Sequence, residues 1–289
     1  MAIKRKPLFV AGSAAIAAIV AATAAVSDIG DENILIVNGD IEMIVETDPP
    51  EFLEDVFDTI YSGWVFRSPG TQAMQADDFD NPAMLDVDLA RDTFNTVMGT
   101  EGQSCASCHE NPESLAGVRA TYPQWDEEHG TVQTVEMQIT ECMTERMGAE
   151  AYGYDSGPMR QMSALISSVS RGMVIDVAMD GPAQSTWEQG EEIYYTRYGL
   201  LELSCANCHE QNYGNNIRAD HLSQGQINGF PTYRLRNSRL NSVHGRFFGC
   251  IRDTRAESFA PGSDEFIALE LYVATRGNGL TVEGPSVRN

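Results

Sequence analysis

Two short stretches with the same residue pattern carry the most specific chemical signal in this chain. Each has the form Cys-x-x-Cys-His, and six residues form the pair: Cys105, Cys108, His109, Cys205, Cys208 and His209. This pattern is typical of covalent c-type haem attachment. Two thiols three residues apart reach both vinyl groups of one porphyrin, and the adjacent imidazole projects towards the iron. The sequence therefore predicts two covalently bound c-type haems.

An internal repeat surrounds the two motifs. Residues 91–110 align with residues 191–210 at a constant offset of 100, with matching aromatic, Gly, Ser, Cys, Ala, His and Glu positions. Two copies of one haem-binding domain follow from this. Short disulfides or a structural zinc site are the alternatives. A thioredoxin-like motif needs a βαβ context that the sequence lacks, however, and zinc sites draw four closely supplied ligands.

The ligand on the other side of each iron decides whether a haem only carries electrons or also does chemistry. Electron-transfer cytochromes c commonly use Met. The last of the twelve methionines is Met179, so none follows His209. The second iron must therefore use His221, His244 or Cys250, borrow a ligand from elsewhere, or stay open.

Two cysteines remain outside the haem motifs, Cys142 and Cys250. They follow His109 and His209 by 33 and 41 residues, so each copy of the repeat holds one spare thiol at a comparable distance. We expect both to bind iron as thiolates, and a disulfide between them is the alternative. Five methionines compete with Cys142 for the first iron: Met137, Met143, Met147, Met159 and Met162.

The segment around Cys250 is rich in positive charge, whereas the chain as a whole is strongly negative. The 289 residues include 19 Lys+Arg and 42 Asp+Glu, a formal net charge of −23, which excludes nucleic acid and anionic membranes as general partners. Residues 234–255 nevertheless contain six arginines and one acid, Asp253. Guanidinium groups bind tetrahedral oxyanions through two parallel hydrogen bonds. Arg246 lies four residues before Cys250 and shares its face if the segment is helical, so it is our first candidate for binding an anionic substrate.

The N-terminus predicts export. Three basic residues at positions 4–6 precede an apolar run and a group of small residues, so residues 1–25 are interpreted as a signal peptide. An uncleaved anchor is the alternative. The rest of the chain has no apolar segment of about 20 residues. We therefore expect a periplasmic protein with no membrane span after signal cleavage.

Helices must position the candidate residues, so we expect a mainly α fold of two tandem cytochrome c-like haem domains with little strand. Residues 26–60 are predicted to be an acidic lead-in, extended and solvated or with one short docking helix. Residues 61–180 and 181–289 form the two domains. Helices are expected at four places: about 88–98, from a capping box at 185–188 to Gly199, 159–173, and 263–274 with Ser263 as its cap.

Taken together, these motifs resemble the SoxA family, the diheme cytochrome subunits of the SoxAX complex of bacterial thiosulfate oxidation. The resemblance covers most of the chain after residue 60: residues 61–64, 71–79, both Cys-x-x-Cys-His motifs, Gly245–Cys250 and 276–279, ending near Ser286. Individually, only Cys-x-x-Cys-His is specific. The Arg-x-x-Gly-Cys element, Arg246 to Cys250, together with two haem motifs points to this family.

The resemblance implies a set of ligands and roles. It implies His/Cys ligation at both irons, by His109 with Cys142 and by His209 with Cys250, and a persulfide at Cys250. The residues implied in catalysis and in substrate binding are Cys250, Arg246 and Arg276, with Arg276 assisting Arg246.

The implied activity is that of an L-cysteine S-thiosulfotransferase, which joins thiosulfate oxidatively to a cysteine of the carrier protein SoxY in SoxYZ. The implied partners are the small cytochrome subunit SoxX, as a heterodimer, and a soluble cytochrome c as electron acceptor. A diheme electron carrier without substrate chemistry and a diheme cytochrome c peroxidase are the alternative functions.

Overall fold

The protein is described by a computed structural model that covers residues 33–218 and 220–289. The predicted signal peptide, residues 1–25, lies outside the described residues, as does the lead-in up to residue 32. Within the described ranges, no helix is both long and apolar enough to cross a bilayer. The helices are α1 (Pro69–Ala76), α2 (Met84–Asn95), α3 (Ala106–His109), α4 (Val118–Thr121), α5 (Val135–Glu141), α6 (Gly157–Val169), α7 (Gln184–Tyr195), α8 (Cys205–His209), α9 (Val243–Asp253) and α10 (Asp264–Thr275).

Strands are short, and they tie loops together without forming a layer. Four antiparallel pairs (β1–β2, β3–β4, β5–β6 and β7–β8) and one three-stranded sheet in the order β10-β9-β11, with β11 parallel to β9, are described. The expected mainly α fold with little strand is confirmed. The strands are β1 (Leu35–Val37), β2 (Ile41–Met43), β3 (Glu46–Thr47), β4 (Ile60–Tyr61), β5 (Gln124–Asp126), β6 (Thr131–Gln133), β7 (Asn216–Ile217), β8 (Asp220–His221), β9 (Thr232–Arg234), β10 (Arg239–Asn241) and β11 (Ser286–Arg288).

Helix order repeats along the chain. A helix precedes each Cys-x-x-Cys-His motif (α2 and α7), a short helix carries the motif (α3 and α8), and two longer helices follow (α5 and α6, then α9 and α10), with the one-turn helix α4 as an addition in the first half. In the first half α2 packs on α6, and in the second half α7 packs on α10. Apart from α4, the order of helices is therefore the same in the two halves.

Helix α10 is the central element of the second half, and its residues from Phe266 to Thr275 are all buried. It begins as predicted, because Ser263 caps it by accepting a hydrogen bond from the N–H of Phe266 (3.4 Å). Asp264 and Glu265 lie in its first turn, where carboxylates favour the positive end of the helix dipole. The expected helix over 263–274 is therefore observed within one residue.

Helix α7 differs from its prediction at both ends. It begins at Gln184, after a 3-10 turn over Gly181–Ala183, so Ser185 lies inside the helix and does not cap it. It ends at Tyr195, and Gly199 lies beyond it with φ +66°. A Cβ on Gly199 would come within 2.2 Å of the carbonyl oxygen of Thr254. Glycine is therefore needed for a close approach between two backbone segments and not for ending the helix.

The acidic lead-in is also corrected, for residues 33–60. Four apolar residues there are buried with Trp64 in one cluster: Leu35, Val37, Met43 and Val45. Leu53, Phe57 and Ile60 pack against Leu280 in another cluster. Acidic residues alternate with these apolar side chains along the segment. The number of acidic residues therefore suggested a solvated segment, although the apolar residues between them are packed. A short docking helix was the alternative to an extended lead-in, and a single 3-10 turn spans Glu51–Leu53 there.

Gly190 tests the packing of α7 on α10. A Cβ at this position would lie 2.0 Å from the carbonyl oxygen of Ala268 and 2.8 Å from the Cβ of Tyr272. Because the helices must separate to accept it, we expect Gly190→Ala to lower the free energy of unfolding by ~2 kcal/mol or more, measured by denaturant unfolding. The control is Gly70→Ala in α1, where nothing lies within 4 Å. It should be neutral or slightly stabilising, and equal losses in the two variants would contradict the assignment.

Candidate active site

Helix α8 presents the second Cys-x-x-Cys-His motif on one short helix. Ser204 caps it: its hydroxyl accepts a hydrogen bond from the N–H of Asn207 (3.4 Å), and the Asn207 side chain accepts one from the N–H of Ser204 (2.9 Å). This reciprocal cap defines the first turn. The helix runs from Cys205 to His209, so both thiols and the imidazole belong to one rigid element.

The two motif thiols are protonated at neutral pH. Burial raises the pKa of Cys205 to about 12, and the neighbouring Cys250 thiol adds to the rise. Burial and Cys250 also raise the pKa of Cys208. Redox-active Cys-x-x-Cys pairs have lowered thiol pKa values instead, so this environment does not support the thioredoxin-like alternative.

His209 is held as a neutral imidazole with one nitrogen available. Its Nδ1 lies 2.8 Å from the carbonyl oxygen of Ser223, to which it donates. Burial lowers the pKa of His209 to about 4, and the positive charges of Arg246 and Arg276 act in the same direction. A Cβ on Gly225, which has φ +89°, would lie 2.9 Å from Cγ of His209. The ring is therefore fixed in orientation, with Nε2 left as a ligand atom.

Helix α9 brings Arg246 and Cys250 to the same site. Ser242 caps it by accepting a hydrogen bond from the N–H of Gly245 (2.9 Å) and donates one to Asp155 Oδ1 (2.6 Å). The helix covers Val243–Asp253, so the predicted one-turn spacing of Arg246 and Cys250 is realised. Cys250 is close enough to Cys205 and Cys208 to raise both their pKa values. A Cys250 thiolate in turn raises the pKa of Arg246, outweighing burial.

The guanidinium of Arg246 has no protein partner in the described part of the chain. No carboxylate lies within ion-pair distance of it, and no acceptor takes a hydrogen bond from it. Arg252, by contrast, is paired with Asp253 at 2.9 Å and is 64% exposed. Arg246 is thus the arginine of this segment with unused donors beside a sulfur atom.

The first half places Cys142 in the corresponding position. Helix α5 is capped by Thr134, and Cys142 begins a π-helical turn, Cys142–Arg146, directly after it. Burial raises the pKa of Cys142, and the same thiol contributes to the raised pKa of Cys105. All six cysteines are free thiols, with Cys142 beside the first motif and Cys250 beside the second. The alternative disulfide between Cys142 and Cys250 is therefore not formed.

One difference between the halves lies one turn before each spare cysteine. Gln138 stands four residues before Cys142, and its Nε2 lies 3.8 Å from the Cys142 Sγ. Arg246 stands at the same spacing from Cys250. The first half thus has a neutral amide where the second has a guanidinium.

The competing iron ligands have other roles. Both nitrogens of His221 face carbonyl oxygens, Nδ1 that of Phe66 (3.0 Å) and Nε2 that of Gly214 (2.7 Å). His244 is buried, accepts a hydrogen bond from the N–H of Gly262 (2.9 Å), and contacts Glu270 through Nε2 (3.0 Å). Neither imidazole has a nitrogen left for a metal. Four methionines of the first half are buried among apolar side chains: Met143, Met147, Met159 and Met162, while Met137 packs on the edge of the core.

Arg276 is placed differently from Arg246. Its side chain is fully buried, lies 2.9 Å from Glu210 and donates to the hydroxyl of Tyr272 (3.1 Å). Its guanidinium also lies over the Tyr194 ring, 4.3 Å from the centroid. This placement gives Arg276 a role in the protein interior and does not support direct contact with a dissolved substrate.

Sequence reasoning missed Arg67. It lies far from residues 234–255 in the chain, yet its pKa is lowered to about 10 by burial and by Arg288, Arg234 and Arg246. No local pattern marks it, since one arginine after an aromatic segment has no distinctive spacing. Only the fold brings it to the charged group around Arg246.

The donor set around both motifs fits c-type haem. Each half offers two motif cysteines, a histidine and a third cysteine sulfur at one place, which is a donor set that would suit covalent attachment of a c-type haem with histidine and thiolate ligation. The neutral His209, with Nδ1 bonded to a carbonyl group, has the tautomer that a metal ligand needs. A separate group, Asp126, His129 and Glu141, has ligand atoms within 4.8 Å of one another, but two of these residues already bond to each other.

Comparisons with known proteins agree with this chemistry. The sequence-family model described as SoxA/TsdA, cytochrome c domain, matches residues 89–175. The L-cysteine S-thiosulfotransferase subunit SoxA of Paracoccus pantotrophus is 60% identical over 252 residues, 87% of each chain. The corresponding subunit of Rhodovulum sulfidophilum is 59% identical over 261 residues, 90% of this chain and 91% of the other.

A solved structure matches over the same extent. The crystal structure of SoxXA from P. pantotrophus superposes with a TM-score of 0.86 at 58% identity, covering 89% of this chain and 97% of that one. The chain therefore belongs to the SoxA family of L-cysteine S-thiosulfotransferase subunits.

Proposed function

We propose that this chain is the catalytic subunit of an enzyme that joins thiosulfate to a cysteine of a carrier protein. One observation carries the proposal: the guanidinium of Arg246, which has no partner among residues 33–218 and 220–289, lies one helical turn from Cys250, beside the second Cys-x-x-Cys-His motif. A cation with unused donors beside a reactive sulfur suits a substrate with a sulfonate at one end and a sulfur at the other.

We propose two c-type haems, one in each half of the chain, and assign the residues that would attach and ligate each of them. Residues 61–180 would hold the first through Cys105, Cys108 and His109, with Cys142 as a further ligand. Residues 181–289 would hold the other through the corresponding set: Cys205, Cys208, His209 and Cys250. When bound, a c-type haem accepts electrons one at a time.

The reaction removes two electrons and forms one sulfur–sulfur bond. In the product, the sulfur of the carrier cysteine is bonded to the outer sulfur of thiosulfate. Two electrons leave to an external acceptor. Arg246 binds the sulfonate oxygens and holds the outer sulfur of thiosulfate at Cys250, where a bond forms between the two sulfur atoms with loss of the two electrons. The carrier thiolate then attacks that outer sulfur, and the bond to Cys250 breaks.

Arg246 has a second task in the last step. When the bond to Cys250 breaks, negative charge returns to the Cys250 sulfur, and a guanidinium one turn away stabilises it. A persulfide at Cys250, as the family resemblance implies, extends the side chain by one sulfur towards the incoming thiolate. Arg276 supports the same region from the interior without touching the substrate.

The partners follow from the same reaction. A relative's crystal structure contains SoxXA, so we propose a small cytochrome partner of the SoxX kind for this chain. The thiolate comes from a SoxY carrier in SoxYZ, and a soluble cytochrome c takes the electrons. These partners place the protein in the periplasm, as the predicted signal peptide does.

Cys250→Ala tests whether the reaction takes place at Cys250. We expect it to abolish formation of the thiosulfate adduct on the carrier, because the variant has no sulfur at the second site. Cys142→Ala is the matched control and should keep measurable turnover. The readout is mass spectrometry of the carrier, and normal turnover by Cys250→Ala would refute the proposal.

Arg246→Ala should lower kcat/KM for thiosulfate by about 10²-fold, the usual effect of removing a donor that stabilises developing charge. The kcat/KM of Arg246→Lys should lie between those of Arg246→Ala and the native protein. Lysine keeps the positive charge but cannot make two parallel hydrogen bonds. The control is Arg252→Ala, since this arginine is exposed and already paired with Asp253. Equal losses in Arg246→Ala and Arg252→Ala would contradict the assignment.

Electron paramagnetic resonance of the oxidised protein tests the ligands. We expect low-spin signals typical of thiolate-ligated haem, because a sulfur lies beside each motif. Cys250→Ala should remove one set of these signals and Cys142→Ala the other. Signals of His/Met haem in the native protein would show that the thiolate assignment is wrong.

A further inference from the structure

The sulfur of Cys142 faces the side chain that lies one helical turn before it. Gln138 Nε2 is 3.8 Å from the Cys142 Sγ, which is a hydrogen-bond distance because sulfur is a larger acceptor than oxygen. Both residues belong to the last turn of α5, where the N–H of Cys142 also donates to the carbonyl oxygen of Gln138. One turn of backbone therefore holds the amide beside the sulfur.

Tyr122 determines which end of the Gln138 amide faces the sulfur. Its hydroxyl donates to Gln138 Oε1 at 3.2 Å. A side-chain amide has an acceptor at one end and two donors at the other, so fixing the oxygen also fixes the NH2 group. Tyr122 directly follows helix α4, and its contact with Gln138 is partly buried. The sulfur of Cys142 is thus offered a donor and not an acceptor.

A donor beside a ligand sulfur changes the charge that the sulfur gives to a metal. Hydrogen bonds to ligating sulfur atoms are one of the ways in which proteins set reduction potentials. A thiolate that accepts an N–H group donates less negative charge, and Fe(III) depends on that charge more than Fe(II) does. Reduction adds one electron to the iron, with no proton moved. The hydrogen bond therefore favours the reduced state and raises the reduction potential.

The second half has a charged side chain at the same spacing. Arg246 stands four residues before Cys250 on α9, and its guanidinium carries a full positive charge. The amide of Gln138 is neutral, and its oxygen is already bonded to Tyr122. An amide in this position acts on the neighbouring sulfur without attracting an anion from solution. The chain itself therefore supplies a comparison between a neutral and a charged donor.

We propose that Gln138 is a positioning residue of the first haem: it donates a hydrogen bond to the ligand sulfur of Cys142, Tyr122 holds its amide in that orientation, and together they raise the reduction potential of this haem. The inference rests on the proposed function, because ligation by Cys142 is taken from there. It assigns a role to two residues that lie outside both Cys-x-x-Cys-His motifs.

The test is a redox titration of the haem-loaded full chain, followed by electron paramagnetic resonance so that each haem is measured separately. The signals that Cys142→Ala removes identify the first haem. Gln138→Leu should shift the reduction equilibrium of this haem about tenfold towards the oxidised state, which lowers its potential by about 59 mV for a one-electron couple. The potential of the second haem is the internal control and should stay unchanged.

Three further variants separate the hydrogen bond from a loosened fold. Tyr122→Phe keeps the amide but frees its orientation, so the potential should fall by less than in Gln138→Leu. Gln138→Arg copies the second half and should raise the potential, because a charged donor withdraws more negative charge from the sulfur. Gln189→Leu makes the same change as Gln138→Leu at an exposed position on α7 and should alter neither haem. A loosened fold would shift Gln138→Leu and Gln138→Arg in the same direction.

Two results would overturn the inference while ligation by Cys142 stands: a first-haem potential in Gln138→Leu equal to that in Gln189→Leu, or shifts of the same sign in Gln138→Leu and Gln138→Arg. If Cys142→Ala leaves every haem signal unchanged, ligation by Cys142 is wrong and the inference falls with it. If the native protein fails to conjugate thiosulfate while the potentials shift as expected, the proposed reaction fails and the role of Gln138 stands.

Discussion

The position of helix α9 depends on a buried contact in its first turn. His244 Nε2 lies 3.0 Å from Glu270 on α10, and both side chains are essentially inaccessible to water. His244 accepts a hydrogen bond from the N–H of Gly262 at Nδ1, so its proton is on Nε2, facing the carboxylate. Burial alone would raise the pKa of Glu270, but His244 and Arg119 outweigh it and lower that pKa. Removing one partner of a buried hydrogen bond costs about 1–3 kcal/mol, and more when the other group is charged, so this contact holds α9 against α10.

This constraint matters because the reactive residues lie further along the same helix. Arg246 and Cys250 follow His244 on α9, so the contact that fixes His244 also fixes the helix that carries them. Tyr154 stacks on the His244 ring at 4.7 Å between centroids, and its hydroxyl bonds to Thr134, the cap of α5. Tyr154 therefore joins the first turns of the two helices that lead to the spare cysteines.

The two halves differ in the residues around their spare cysteines, Cys142 and Cys250. Both present a sulfur after a capped helix, but the helix in the first half ends in a π-turn and carries Gln138 where the second carries Arg246. A neutral amide cannot concentrate a dianion, whereas a guanidinium can, even on a protein with a net charge of −23. This difference supports the proposal that substrate binds beside Cys250.

The sequence by itself determined what depends on neighbours along the chain: the spacing of the two haem motifs, the repeat, the cap at Ser263, and the shared face of Arg246 and Cys250. It did not determine what depends on distant segments. The burial of Arg276, the packing of residues 33–60 and the arrival of Arg67 beside Arg246 come from contacts between residues far apart in the chain. Local spacing follows from the geometry of a helical turn, whereas a buried charge or a cluster of like charges exists only once the folded core holds separate segments together.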